Sequence, residues 1–68
     1  MIDTDKLKQL RLEKGLSQKE VAKYADISRA YYTMIENGDR TPSMRVMQNI
    51  VKLFGPEAKD IFFNDEVA

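Results

Sequence analysis

The chain has 68 residues, with eleven Lys/Arg balanced by eleven Asp/Glu. It has no cysteine and no histidine, which excludes disulfides and any Cys/His zinc site. No stretch approaches the roughly 20 apolar residues of a membrane span, and the acidic start Met1-Ile2-Asp3-Thr4-Asp5 is unlike the basic start of a signal peptide.

These bounds predict one soluble, cytoplasmic domain over residues 1–68. At this size an apolar core supplies only about 3–5 kcal/mol, so a partner subunit or very good helix packing is needed. The balanced charge is unevenly placed. Residues 1–54 hold ten Lys/Arg against seven Asp/Glu, a net of +3. Residues 55–68 hold one Lys against four acids, a net of −3. Local field, not net charge, decides where a polyanion docks.

Taken in chain order, the pattern predicts five short helices. The first covers residues 5–14, with Thr4 or Asp3 as cap and Leu7 and Leu10 on one face. Lys14 suits its C-terminal end and Gly15 its stop. The second begins at Ser17, where Ser17-Gln18-Lys19-Glu20 has the spacing of a capping box. Val21 and Ala22 form its apolar side. The third starts at the cap candidate Ser28, carries Tyr31, Tyr32 and Ile35, and ends at Asn37-Gly38. The fourth follows Pro42, with Ser43 as cap and Met44, Met47, Ile50, Val51 and Phe54 at helical spacing. Met44 and Met47 read as core fillers. The fifth is short, from Pro56 or Glu57 to Phe62, with Ala58, Ile61 and Phe62 inward. Residues 63–67 suit an extended tail, in which Asp65 and Glu66 read as a solvated end. The fold class expected is therefore all-α, with that tail as the only extended piece.

Between the second and third helices lie only Ala25-Asp26-Ile27. That connection is too short for an aligned antiparallel hairpin. It suits two helices meeting at about 90–120°, a helix-turn-helix over residues 18–37. The turn at Asp26 needs φ > 0, which Asp tolerates better than most residues.

The run Leu16-Ser17-Gln18, Val21-Ala22, Ile27-Ser28-Arg29, Ile35-Glu36-Asn37-Gly38 and Pro42-Ser43 resembles the lambda-repressor/Cro-like helix-turn-helix family, also called the xenobiotic-response-element family. The resemblance spans Leu7 to Phe62. It implies a transcriptional regulator of double-stranded DNA, a repressor acting as a homodimer on a palindromic operator. It implies that the helix over residues 28–37 enters the major groove. On that helix Arg29, Ala30 and Met34 match base-reading positions, and Thr33, beside Met34, is a further base-reading candidate. Arg29 can bond guanine O6 and N7 bidentately, whereas Ala30 offers only a methyl group. Met34 departs from the polar residue common there. Gln18, Ser28, Tyr31, Asn37, Arg40 and Ser43 match or flank phosphate-contacting positions. Asp39 is expected to point away or to pair with Arg40. Arg11 and Glu36 match two positions that usually form a salt bridge between the first helix and the end of the recognition helix. Tyr32 stands where the family often has Ile or Val, so a buried hydroxyl there needs a partner.

Apolar residues near the two chain ends, Ile2, Ile61 and Phe63, are the expected dimer contact. A second class of function is a protein-interaction module, such as an antitoxin or the docking subunit of a larger regulator. Catalysis has no support: no nucleophile–base arrangement and no phosphate-binding glycine loop is present. No cofactor, metal or small-molecule ligand is expected.

Overall fold

Each of the four longer helices begins at a side chain that accepts a hydrogen bond from a backbone N–H left over at its first turn. In this computed structural model, which describes residues 2–63, helix α1 spans Thr4–Glu13 and is capped by Asp3, whose Oδ1 accepts from Lys6 N at 3.1 Å. Helix α2, Gln18–Ala25, has the full capping box. Ser17 Oγ accepts from Glu20 N at 3.0 Å, and Ser17 N donates to Glu20 Oε1 at 2.8 Å. Ser28 caps α3, Arg29–Asn37, and Ser43 caps α4, Met44–Phe54. A cap of this kind contributes about 1 kcal/mol. A 3₁₀ turn, Pro56–Ala58, runs into the short α5, Lys59–Phe62. No strand occurs among the described residues, and the fold is all-α. Residues 64–67, expected to be extended, lie outside the described residues.

Helices α2 and α3 both end on a left-handed residue. Gly38 ends α3 at φ 85°, where a side chain is unfavourable. Asp26 ends α2 at φ 62°, the only described non-glycine residue with positive φ. Its conformation lets Ile27 N reach back to Ala22 O at 3.0 Å. A β-branched residue there would meet the Cβ clash that excludes L-residues from this region. Asp26→Val is expected to cost about 1–2 kcal/mol, while Asp26→Gly should hold or raise stability; urea melts of the two variants check this. The exposed Asp26–Arg45 pair, at 4.0 Å, adds little.

The core takes a stripe from every helix: Leu7 and Leu10 of α1, Val21, Ala22 and Ala25 of α2, Tyr32 and Ile35 of α3, Val46, Ile50 and Phe54 of α4, and Ala58 and Ile61 near the chain end. Phe62, expected inward, and Ile27 are half-buried against it. Ala22 is 2% exposed in the core between the packed helices, where a longer side chain would push neighbours apart.

Two expectations are corrected. Met44 is not a core filler: it is 57% exposed. The start at Ser43 sets the phase of α4 so that Val46, Ile50 and Phe54 face inward. Met44 then stands roughly 120° round the helix from them. Met47 is half-buried. Ile61 is inward, as its place on the fifth helix predicts, and so is not a surface dimer contact: it is 0% exposed. It sits three residues from buried Ala58 on the inner side of the chain end, and its carbonyl accepts from Asp3 N at 3.1 Å. Phe63, by contrast, is exposed. No helix among the described residues is long and apolar enough to cross a membrane.

Candidate nucleic-acid interface

Helix α3 has two chemically different sides. Tyr32, Ile35 and Glu36 are buried. Ala30, Met34 and Asn37, spaced i, i+4 and i+7, form a stripe on the opposite side, with Thr33 at its edge. Ala30 and Asn37 are exposed, while Thr33 and Met34 are half-buried. Arg29 opens the helix, is exposed, and has no carboxylate partner among the described residues. Its N-terminal end therefore presents five N–H donors beside the small Ala30 side chain.

The buried side carries a polar cluster inside an otherwise apolar core. Arg11 meets Glu36 by a two-pronged ion pair, Nε to Oε2 at 2.8 Å and Nη2 to Oε1 at 3.0 Å. Its remaining prong, Nη1, donates to Leu16 O at 2.8 Å. Tyr32 donates its phenol proton to Glu36 Oε2 at 2.7 Å, which supplies the partner its burial requires. Gln18 Nε2 donates to Glu36 Oε1 at 3.0 Å. Thr33 Oγ1 in turn donates to Gln18 Oε1 at 2.8 Å. The Glu36 carboxylate thus accepts four hydrogen bonds, and no buried side-chain polar atom among the described residues lacks a partner. Burial alone would push Glu36 toward its neutral form. The hydrogen bonds from Arg11, Tyr32 and Gln18 outweigh it and hold its pKa below the usual carboxylate value. The Tyr32 phenol is pushed up, first by burial and then by its bond to the Glu36 carboxylate. The Arg11 pKa is raised by its hydrogen bond to Glu36, against an opposing desolvation.

The remaining residues singled out by sequence fall into three settings. Ser28 and Ser43 each accept a backbone N–H through the hydroxyl oxygen, which leaves the hydroxyl proton for an outside acceptor. Gln18 opens α2 with its side-chain amide turned inward, and one of its two N–H bonds remains uncommitted. Arg40 lies over the Tyr31 ring, 5.4 Å from its centroid, so Arg40 pairs with the ring and not with Asp39. An exposed cation–π contact of this type is worth about 0.5–1 kcal/mol. Tyr31→Ala should accordingly release Arg40 at little cost in stability, a change readable as loss of the Arg40 Nε–H signal dispersion by NMR. Asn37 is exposed at the last turn of α3.

Sequence reasoning did not find the links from Gln18 to Glu36 and Thr33. Tyr32 and Glu36 are four residues apart on one helix, a spacing that could have disclosed their bond. Gln18 and Thr33 are separated by a helix crossing, and nothing local marks them as partners.

A helix-turn-helix family model matches residues 7–58. YqaF of Bacillus subtilis (strain 168), named an uncharacterized HTH-type transcriptional regulator, is 58% identical over 59 residues, 87% of this chain and 76% of that protein. The control protein C.MunI of a Mycoplasma species is 40% identical over 63 residues, covering 91% of this chain and 85% of its own. The cryptic phage CTXphi transcriptional repressor RstR of Vibrio cholerae is 25% identical over 63 residues, 93% of this chain and 57% of its own length. No solved structure gives a match of comparable significance.

Proposed function

This chain belongs to the Cro/C1-type helix-turn-helix family, and from that premise we propose that it is a DNA-binding transcriptional regulator that places α3 in the major groove. The observation that carries the reading is the two-sided character of α3. One side is fixed to the core by Tyr32, Ile35 and the Glu36 ion pair. The other presents Arg29, Ala30, Thr33 and Met34, and an α-helix of this width fits the groove.

Arg29 reads guanine, Ala30 contacts a thymine methyl group, and Thr33 and Met34 lie one turn further along. Gln18, Ser28, Tyr31, Asn37, Arg40 and Ser43 hold the phosphates. Ser28 and Ser43 have a hydroxyl proton to give, and Gln18 has one N–H beside the amides that open α2. No catalytic step is assigned to any of them. The domain works in the cytoplasm as a homodimer and represses a palindromic operator, two half-sites lying about 34–36 Å apart. Ile2 and Phe63 remain as the dimer contact, with exposed Met44 beside Phe63 on the outer side of α4.

Two measurements test this. Fluorescence anisotropy with random duplexes should show affinity falling steeply between about 50 and 200 mM salt, as counterions return to the phosphates. An affinity that ignores salt would count against a nucleic-acid partner and toward a protein one. Sedimentation at micromolar concentration should give twice the 7.9 kDa chain mass. A single-chain mass would remove the dimer.

A further inference from the structure

The hydrogen-bond polarity of the α3 surface is set from inside the core. Glu36 is ionised beside Arg11, and a carboxylate can only accept. Gln18 must therefore turn its NH₂ toward Glu36, which it does with Nε2 3.0 Å from Oε1. Its carbonyl oxygen then faces Thr33, 2.8 Å away. A carbonyl also only accepts, so the single hydroxyl proton of Thr33 is committed to Gln18. An amide orientation is often ambiguous, but here the Glu36 carboxylate decides it, and the polarity at Thr33 follows.

Resting on the reading of α3 as the base-contacting helix, we infer that Thr33 is an acceptor-only specificity residue, which recognises a major-groove amine and is held in that state by Gln18. The amines available are adenine N6 and cytosine N4. Thr33 has no proton for a phosphate oxygen, guanine N7 or O6, or thymine O4. Arg29, one turn earlier on the same helix, has the opposite polarity and only donates. The reading head therefore carries a donor at its first residue and an acceptor at its fifth. Gln18 is a positioning residue for this purpose. Its oxygen takes the Thr33 proton, while its uncommitted N–H can still meet a phosphate.

The test is a double-mutant cycle on the full chain. A bound duplex is first selected from a random pool, and each adenine or cytosine of a half-site is replaced by its analogue lacking the exocyclic amine. Thr33→Val keeps the shape and the methyl group but replaces the hydroxyl with a second methyl. At one position, deleting the amine should weaken the wild-type protein by about 3- to 10-fold more than it weakens Thr33→Val. Thr33→Ser, which keeps the hydroxyl, should retain that coupling. Two results overturn the assignment: no amine couples to Thr33, or Thr33 couples instead to guanine N7, tested with 7-deazaguanine. A pool that yields no enriched duplex overturns the DNA reading itself, and this assignment with it, and so is distinguishable from either.

Discussion

Arg11→Ala should leave most of the protein unfolded at 25 °C. The substitution strips the buried Glu36 carboxylate of its two-pronged partner and removes the bond that holds Leu16 O. An uncompensated buried charge costs about 3–5 kcal/mol. That is as large as the whole stability of about 3–5 kcal/mol expected of a domain this small with no staple. The pair itself is not what makes the fold stable, because taking two charges out of water offsets most of their attraction. The double variant Arg11→Met with Glu36→Gln should therefore melt well above Arg11→Ala. It removes both charges and still leaves an amide oxygen for the Tyr32 phenol. Urea melts followed by circular dichroism decide this. If Arg11→Ala lost less than about 1 kcal/mol, the pair would be a surface ornament and the account of the core would be wrong.

The same carboxylate predicts a response to acid. Its folded pKa lies below the unfolded value. Such a group contributes stability above the unfolded pKa, about 4.3, and loses it as pH falls through the folded value. The urea midpoint should stay level from neutral pH to about 5 and then drop below about 4. Glu36→Gln should start from a lower midpoint and show a shallower acid drop. An equally steep drop in that variant would place the acid sensitivity on other carboxylates.

Arg29→Ala carries the largest expected effect on recognition. Losing a bidentate guanine contact costs about 1–3 kcal/mol, or roughly 5- to 150-fold in affinity for the preferred site. The loss should be confined to one base pair, where the preference relaxes. Arg40→Ala should behave differently. It should weaken all duplexes alike and reduce the salt slope by about 0.9, the signature of one lost phosphate contact. Arg40 makes a cleaner comparison than Gln18, because removing Gln18 also releases Thr33 and disturbs the Glu36 cluster. If Arg29→Ala and Arg40→Ala gave the same uniform loss, the split between base reading and backbone holding would be wrong.

What could be read from the sequence was local or carried by the family resemblance. The caps at Ser17, Ser28 and Ser43 and the left-handed stops at Asp26 and Gly38 depend on residues within about one turn, so their spacing suffices. The Arg11–Glu36 pairing, between residues 25 apart, was expected only because those positions match the family, and their bond is now seen with two further donors, Gln18 and Tyr32, on the same carboxylate. Met44 was misread as covered, and Ile61, rightly read as inward on the fifth helix, was also offered as a dimer contact, which its burial removes. Hydropathy states that a residue is apolar, while the phase of its helix against the core decides whether it is covered. Ile61 is buried like Ala58, with its carbonyl bonded to Asp3 N, and Met44 faces away from Val46 and Ile50. The Gln18–Thr33 bond depends on how α2 crosses α3, which no spacing along the chain encodes.

That two-sided α3 is a major-groove reading head is tested most directly by selecting bound duplexes from a random pool and sequencing them. The expected result is an enriched, two-fold symmetric site, with half-sites one helical turn apart and a guanine in each whose enrichment disappears in Arg29→Ala. A pool that remains random after repeated rounds, or a site that Arg29→Ala leaves unchanged at every position, would contradict it.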